Sequence, residues 1–598
     1  MSHARSRSTI GESSLLSIGF LALTGAVLAA HSAPATGYEL SLYTSTPLSF
    51  WALFGCAMSI SLLVSLEATT DWYRRLALGL GGGASMAFIG LPVLRGYRFY
   101  GAGDALTHLG WVRGIRAGNL QPTELFYPGL HTLSTFIGVT FDIDLTQATL
   151  LAIVLFSALF VLFVSLSTAL VFESRYSTIV GAFSALLFLP ITNMSMFIVA
   201  HPMSQAVLFS AVVIYLLLRY LRSQISLFSS SAIGAILTLT SVGLTIYHPQ
   251  LAAHMVVVFL GIAMLQYLAR WRWTDHPIAS HRPIYGQTVI LAAAFLLWIS
   301  NHGFFADVIT FAFSNVIQYF VGSGPAAAGG SVGSQSGSLQ EIGASVGELF
   351  LKMFGMNTLY IVLTGLLFLY LLFKSDAELV TKTNGLVSYF VVSLVGLTGL
   401  FGLYFFGNVS EMYFRVFGLM MAFITITGAV AISYGMTHVS KNRPTPIFHS
   451  FSVTVFLVLL FVSLLTVFPS PYMYNASPHV TEMSMSGHET AFENRAENVS
   501  FIGIRAGPNR YLDATRAQRT ATDGHDGSIT GSEIEDDISD QYNTSRYLTV
   551  TRNDYEREVS AYQELRYSRD QLASISSQQG VNRVQSNGEF NLYFIRGE

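Results

Sequence analysis

The chain has 598 residues, 52% of them hydrophobic and only 11% charged, with a mean hydropathy of +0.50 and a formal net charge of −3. Soluble domains are roughly a quarter charged, so this deficit excludes an ordinary soluble enzyme and makes lipid the solvent for most of the length. The one cysteine, Cys56, sits in an apolar run, which excludes a disulfide within the chain. From Pro469 onward there are 19 Asp and Glu against 12 Arg and no Lys, so an acidic tail follows a mildly basic apolar region. An acidic, lysine-poor surface suits a salt-rich environment, though GC-rich coding would also favour arginine over lysine.

Apolar runs of about 20 residues recur from the N-terminus to residue 468 and then stop. The chain therefore divides into a transmembrane domain, 1–468, and a polar domain, 469–598. The spans read as 13–31, 47–66, 76–94, 145–171, 176–191, 199–221, 228–247, 250–269, 286–301, 351–373, 385–406, 412–435 and 449–468. The first also has the form of a secretory signal, with Arg5 and Arg7 before an apolar core and small residues near Ala30–Ala35. An uncleaved anchor is the favoured reading. The segment 127–141, with a Pro and a His in 15 residues, is too short to span and reads as re-entrant or interfacial.

Omitting that segment places Arg74/Arg75, Arg175, Arg219/Arg222, Arg270/Arg272/Arg282, Lys374/Lys382 and Lys441/Arg443 on the cytoplasmic side with Arg5 and Arg7. The expected topology is thus about 13 spans in the cell membrane, N-terminus cytoplasmic and C-terminal domain extracytoplasmic. The sequons at Asn193, Asn408, Asn475, Asn498 and Asn543 all fall on that outer side. Outer loops are expected at 95–143 and 302–350; the centre of the second, 322–338, is too rich in Gly and Ser to hold a fold alone. In the tail, 519–545 reads as an acidic, disordered insertion. Around it are a helical run near 480–494, a strand at 546–551, a long charged helix at 553–576 and a hairpin turning on Asn587-Gly588.

The first outer loop carries Asp104, His108, Arg113, Arg116, Glu124 and His131 among aromatics. On a helix Asp104 and His108 share a face, and a carboxylate beside an imidazole can take a proton from an acceptor hydroxyl or orient a ligand. Arginines on the outer side run against the positive-inside trend, which makes Arg113 a binding candidate. His201-Pro202 and the turn Tyr247-His248-Pro249-Gln250 open onto the same side. Arg415 lies about one turn inside its span; an intramembrane arginine is costly, and phosphate is its natural partner. Lys352 is a weaker version of the same idea. The middles of the spans hold no Asp or Glu, which argues against an ion-coupled transporter and for chemistry at one face.

GDALTH at 103–108 with the YPGLH segment after it resembles membrane-embedded glycosyltransferases of the GT-C fold, especially archaeal members. FIGIRAGPNRY (501–511) and the closing NRVQSNGEFNLYFI are similar to the C-terminal region of those proteins. The resemblance implies Asp104 as catalytic base or acceptor-orienting carboxylate with His108 beside it. It implies Arg415 on the phosphate of a polyprenyl (dolichyl) phosphate-linked sugar donor, and loop 302–350 as a mobile cover. His248, His201, His131, Arg113 and Lys352 complete the expected binding set. No WWDYG sequence is present, unlike an oligosaccharyltransferase, and the first loop has no Asp-Glu pair. The expected fold is an all-α polytopic membrane protein with a small α/β extracytoplasmic domain. The expected activity is sugar transfer from the lipid donor to a glycan, lipid or protein acceptor. The one cofactor compatible with this reading is a divalent cation, its ligands unspecified, and no nucleic-acid partner is implied. The rival readings are a transporter or flippase for a lipid-linked glycan or surface polymer, with a polar cavity through the bundle, and a non-catalytic surface-assembly component.

Overall fold

The computed structural model describes residues 2–223, 229–302, 343–374, 377–383, 385–407, 412–440, 445–517 and 527–597, with isolated positions between 310 and 341. Residues 322–338 and the sequon residue Asn408 lie outside the described residues. The apolar part is a bundle of α1 (Ser2–His31), α2 (Leu48–Glu67) and α3 (Asp71–Ile89), then α4 (Asp104–Ala117), α5 (Gly129–Phe141), α6 (Leu145–Val171), α7 (Ser177–Ala185) and α8 (Pro202–Arg222). It continues with α9 (Ser229–Tyr247), α10 (Pro249–Arg272), α11 (Tyr285–Ser300), α12 (Val346–Lys374), α13 (Leu386–Phe406), α14 (Met412–Ser440) and α15 (Thr445–Leu464). Among the described residues nine helices are long and apolar enough to cross a membrane, and Ala232–Tyr247 and Tyr285–Ser300 are shorter apolar helices. The protein is an all-α, multi-pass membrane protein with a C-terminal region built on small sheets.

Two expected spans differ. The run 76–94 is divided at Gly90, which ends α3 and precedes a separate short helix, Leu91–Leu94, with Pro92 in its first turn. The run 176–191 is helical only over the nine residues of α7. Beyond it Phe188 and Asn193 take left-handed backbone angles (φ 47° and 53°), and the chain continues irregularly to His201. Buried backbone without a helix needs other partners. Asn357 donates to the Leu189 carbonyl (2.8 Å), Ser463 to that of Leu187 (2.6 Å), and Asn193 to those of Thr466 and Val467. Asn193 is therefore only 8% exposed and bonded inward, so its sequon gives no accessible acceptor and no support for topology. α5, by contrast, has the length expected of the short segment; its 13 residues extend about 20 Å.

In the tail α16 (Glu482–Glu493) and α17 (Asn509–Arg516) pack beside a five-stranded sheet of order β4-β3-β5-β7-β6. Its strands are β3 (Ser500–Ile504), β4 (Gly527–Ile529), β5 (Arg546–Thr551), β6 (Val581–Ser586) and β7 (Phe590–Ile595). β4, β3 and β5 run parallel, while β7 is antiparallel to both β5 and β6. Alternation gives the sheet two buried faces: Ile502, Leu548 and Ile595 on one, Phe501, Phe590 and Leu592 on the other. β1 (Phe99–Tyr100), just ahead of α4, pairs with β2 (His479–Val480), tying the tail to the first loop.

Two tail expectations are corrected. Residues 527–545 are ordered: a Thr530/Glu533 capping box starts a short helix, and Ile529, Ile534 and Ile538 are buried. The rest of the expected insertion, 519–526, lies outside the described residues. The long helix at 553–576 is instead a helix Arg552–Glu556, a π-helical turn Arg557–Ala561 and a second helix Arg569–Ser574. Gln563 and Glu564, both at positive φ, break it, and Ser568 with Gln571 caps the restart.

Candidate active site

α4 is introduced by Gly103, whose φ of 58° suits glycine, so that Asp104 opens the helix where a carboxylate is favoured by the backbone dipole. The inward face of α4 carries Ala105, Leu106 and Leu109, all buried in the bundle core. Asp104 itself points outward into a cleft of about 430 Å³. The irregular stretch after α7 supplies another wall with Ser195, Phe197 and His201, and α14 supplies Arg415. The tail adds Asn475, Asn553, Arg557 and Tyr562. The cleft thus joins, across some 310 positions of sequence, the carboxylate and the arginine that sequence reasoning singled out separately.

The Arg415 guanidinium donates to Gln250 Oε1 at 3.0 Å, on the first turn of α10. His201 lines the cleft with Arg415. His201 is held by Ser204 (Nδ1 to Oγ 2.9 Å), and its backbone N–H donates to Gln205 at 3.0 Å. His248 stacks on Tyr127 at 5.1 Å and 8°, linking the turn between α9 and α10 to the approach to α5.

No family model matches the chain, and no curated protein matches it by sequence. The chain is similar in structure to the Archaeoglobus fulgidus oligosaccharyltransferase in complex with Zn and sulfate (10% identity, 91% of this chain and 73% of that one, TM-score 0.48). It is also similar to the archaeal oligosaccharyltransferase AglB of that organism with an inhibitory peptide and a dolichol-phosphate (10% identity, 87% and 74%, TM-score 0.48). A third similar structure is ArnT from Cupriavidus metallidurans bound to undecaprenyl phosphate (10% identity, 92% and 98%, TM-score 0.43). At such identity the likeness is one of chain arrangement and assigns no residue a role.

The remaining expected site residues lie elsewhere. His108 does not line the cleft with Asp104: it is buried, its Nδ1 3.1 Å from His131 Nε2, with Trp111 edge-on at 5.2 Å. Burial, and then the neighbouring His131, hold the His108 imidazole well below its usual range; burial lowers His131 to about 3. Two neutral rings sharing one hydrogen bond support α4 from behind. Arg113 donates to the Ala514 carbonyl at 2.9 Å and so fastens α17. Lys352 pairs with Glu348 (2.6 Å), donates to the Tyr472 carbonyl (2.9 Å) and lies over the Tyr472 ring, beside a separate small cavity lined by Leu189 and Met356. Among the described residues no group of three or more His, Cys, Asp or Glu side chains could hold a metal ion, so no step is assigned to the expected cation.

Sequence reasoning missed Arg510. It pairs with Asp104 at 2.6 Å and donates to Thr107 Oγ1 at 3.0 Å. Its signal in the sequence is the NRY ending of FIGIRAGPNRY, which by itself points to no partner. Arg557, held by Asp554 and Glu558 (both 3.0 Å), was hidden in what read as one long charged helix.

Proposed function

We propose that the protein is an integral-membrane glycosyltransferase that moves a sugar from a polyprenyl-phosphate donor to an acceptor at the extracytoplasmic face. The observation that carries this reading is the single cleft lined by Asp104, His201 and Arg415. In the proposed step an acceptor hydroxyl attacks the anomeric carbon. Its new C–O bond forms as the bond from that carbon to the phosphate oxygen breaks. The hydroxyl proton passes to the Asp104 carboxylate, and the charge left on the phosphate is met by Arg415. His201, which lines the cleft with Arg415, is assigned to position the phosphate or sugar; His248 is stacked on Tyr127 and is not a lining residue, and His108 and His131 act only by supporting the helix that carries Asp104. Arg113 and Lys352 have no part in the proposed site, because the one bonds the Ala514 carbonyl and the other pairs with Glu348, both outside the cleft.

The test is a deletion strain whose surface glycoproteins are weighed by mass spectrometry, complemented with wild type or Asp104→Asn. Loss of one sugar, restored by wild type and not by the variant, is expected. An Asp104→Asn protein that restores the full glycan refutes the assignment.

A further inference from the structure

The tail reaches the candidate carboxylate by a docking that does not depend on the reaching side chain. α17 lies on the face of α4 marked by Gly110 and Gly114. A Cβ on Gly110 would fall 2.2 Å from the Asp513 carbonyl oxygen, and one on Gly114 2.7 Å from that of Ala517. Only glycine permits backbones this close. The Thr107 hydroxyl donates to the Asp513 carboxylate at 2.7 Å with both residues buried, and Arg113 bonds the Ala514 carbonyl. Backbone contact, a buried charged hydrogen bond and an arginine bridge therefore hold α17 in place.

Arg510, on the first turn of α17, is left to act outward. Thr107 anchors one guanidinium nitrogen at 3.0 Å, Asp513 stands 3.9 Å from it, and another nitrogen meets Asp104 Oδ1 at 2.6 Å. The Asp104 side chain is 65% exposed and that of Arg510 40%. An ion pair so exposed adds little to stability, so its consequence is geometric. A carboxylate at the start of a helix, exposed on a cleft wall, would otherwise sample several rotamers. Reactive groups lose rate steeply with misplacement of the order of an ångström.

We infer that Arg510 is a positioning residue: from the C-terminal region it holds Asp104 in its cleft-facing orientation, so that transfer requires the docked tail. The inference rests on the glycosyltransferase reading.

The test uses the full chain in the deletion strain, with Arg510→Gln, Arg510→Lys and Asp104→Asn at matched expression. Two quantities are read: the rate at which newly made surface glycoprotein acquires the sugar, and the protease resistance of the tail in membranes. Arg510→Gln should slow sugar acquisition about 10- to 100-fold with the tail as resistant as in wild type. Arg510→Lys, which keeps a cation within reach, should recover most of the rate. Wild-type rates in Arg510→Gln, with Asp104→Asn inactive, overturn the inference and leave the glycosyltransferase reading standing. Slow transfer accompanied by a protease-sensitive tail also overturns it, because Arg510 would then be part of the docking. An active Asp104→Asn protein overturns both.

Discussion

Replacing Gly110 by alanine tests whether α17 must lie against α4. The new methyl carbon would sit 2.2 Å from the Asp513 carbonyl oxygen and 2.8 Å from its carbonyl carbon, whereas ordinary contact begins at 3.4 Å. The obstacle is backbone and cannot rotate aside, so α17 must retreat by about 1.2 Å, the difference between 3.4 and 2.2 Å. A retreat of that size opens the 2.7 Å Thr107–Asp513 bond beyond hydrogen-bonding range and leaves a buried carboxylate without its hydroxyl. Losing a hydrogen bond to a charged group costs about 1.5–3 kcal/mol, and overpacking adds to it. The undocked tail should therefore be populated on the order of 10- to 100-fold more than in wild type. Proteolysis of the tail under native conditions, in membranes, reads that population directly when reclosing outpaces cleavage. Gly79→Ala is the control: it makes the same change within a helix, where an added Cβ meets nothing within 4 Å. Cleavage of the Gly110→Ala tail at the wild-type rate would refute the docking argument.

Two further outcomes follow from the tail. Glu558 is fully buried and receives Arg505 (2.6 Å) and Arg557 (3.0 Å), so Glu558→Ala leaves two guanidinium groups short of a carboxylate and should cost about 3–5 kcal/mol. A matching rise in tail proteolysis in the full chain checks this, and wild-type resistance refutes it. Burial lowers His479 and His488 to about 3, below the roughly 6.5 expected of an unfolded chain. Between those values the unfolded chain binds the protons and the folded one does not. The stability is therefore complete above pH ~6.5 and is lost as pH falls, by up to about 1.4 kcal/mol per pH unit per histidine. Tail protease resistance measured from pH 7.5 down to 4.5 should fall accordingly, and less steeply in His488→Asn; a flat profile in wild type contradicts the burial.

Elements governed by local chemistry were legible in the sequence. The apolar run 145–171 is α6 residue for residue, RYLTVT is β5, and Asn587-Gly588 turns the β6–β7 hairpin with Gly588 at φ 98°. Asp104 at a helix start and Arg415 one turn inside another were also legible, because a helix-opening acid and an intramembrane cation are local anomalies. What was not legible depends on contacts distant in sequence. Composition marked 519–545 as disordered, and the isoleucines of its described part, 527–545, declare themselves only when a sheet is there to cover them. Periodicity placed Asp104 and His108 on one face, and it is His131, 23 residues on, that draws His108 inward. Nothing in the arginine count of the tail distinguishes Arg510, which meets Asp104, from the others.

The broken segment after α7 shows why the cleft and the failure of local rules coincide. A helix through 176–191 would satisfy every backbone group internally, which is the cheapest arrangement in a membrane. Instead the chain leaves the helix after Ala185, and its carbonyls are met one at a time by Asn357 and Ser463 from other helices. Each buried carbonyl left unmet would cost about 1–3 kcal/mol, so the arrangement survives only because those partners are present. What the irregular path accomplishes is delivery: Ser195, Phe197 and His201 reach the wall facing Asp104 and Arg415, at the end of the bundle where the tail docks. A regular helix presents its side chains at fixed intervals along a cylinder and could not line a cleft with consecutive residues such as Val199, Ala200 and His201. The same reasoning applies to the tail, where the positive-φ break at Gln563 and Glu564 follows the turn that places Arg557 and Tyr562 on the cleft. Departures from regular structure on both sides of the cleft are thus what bring its polar groups together.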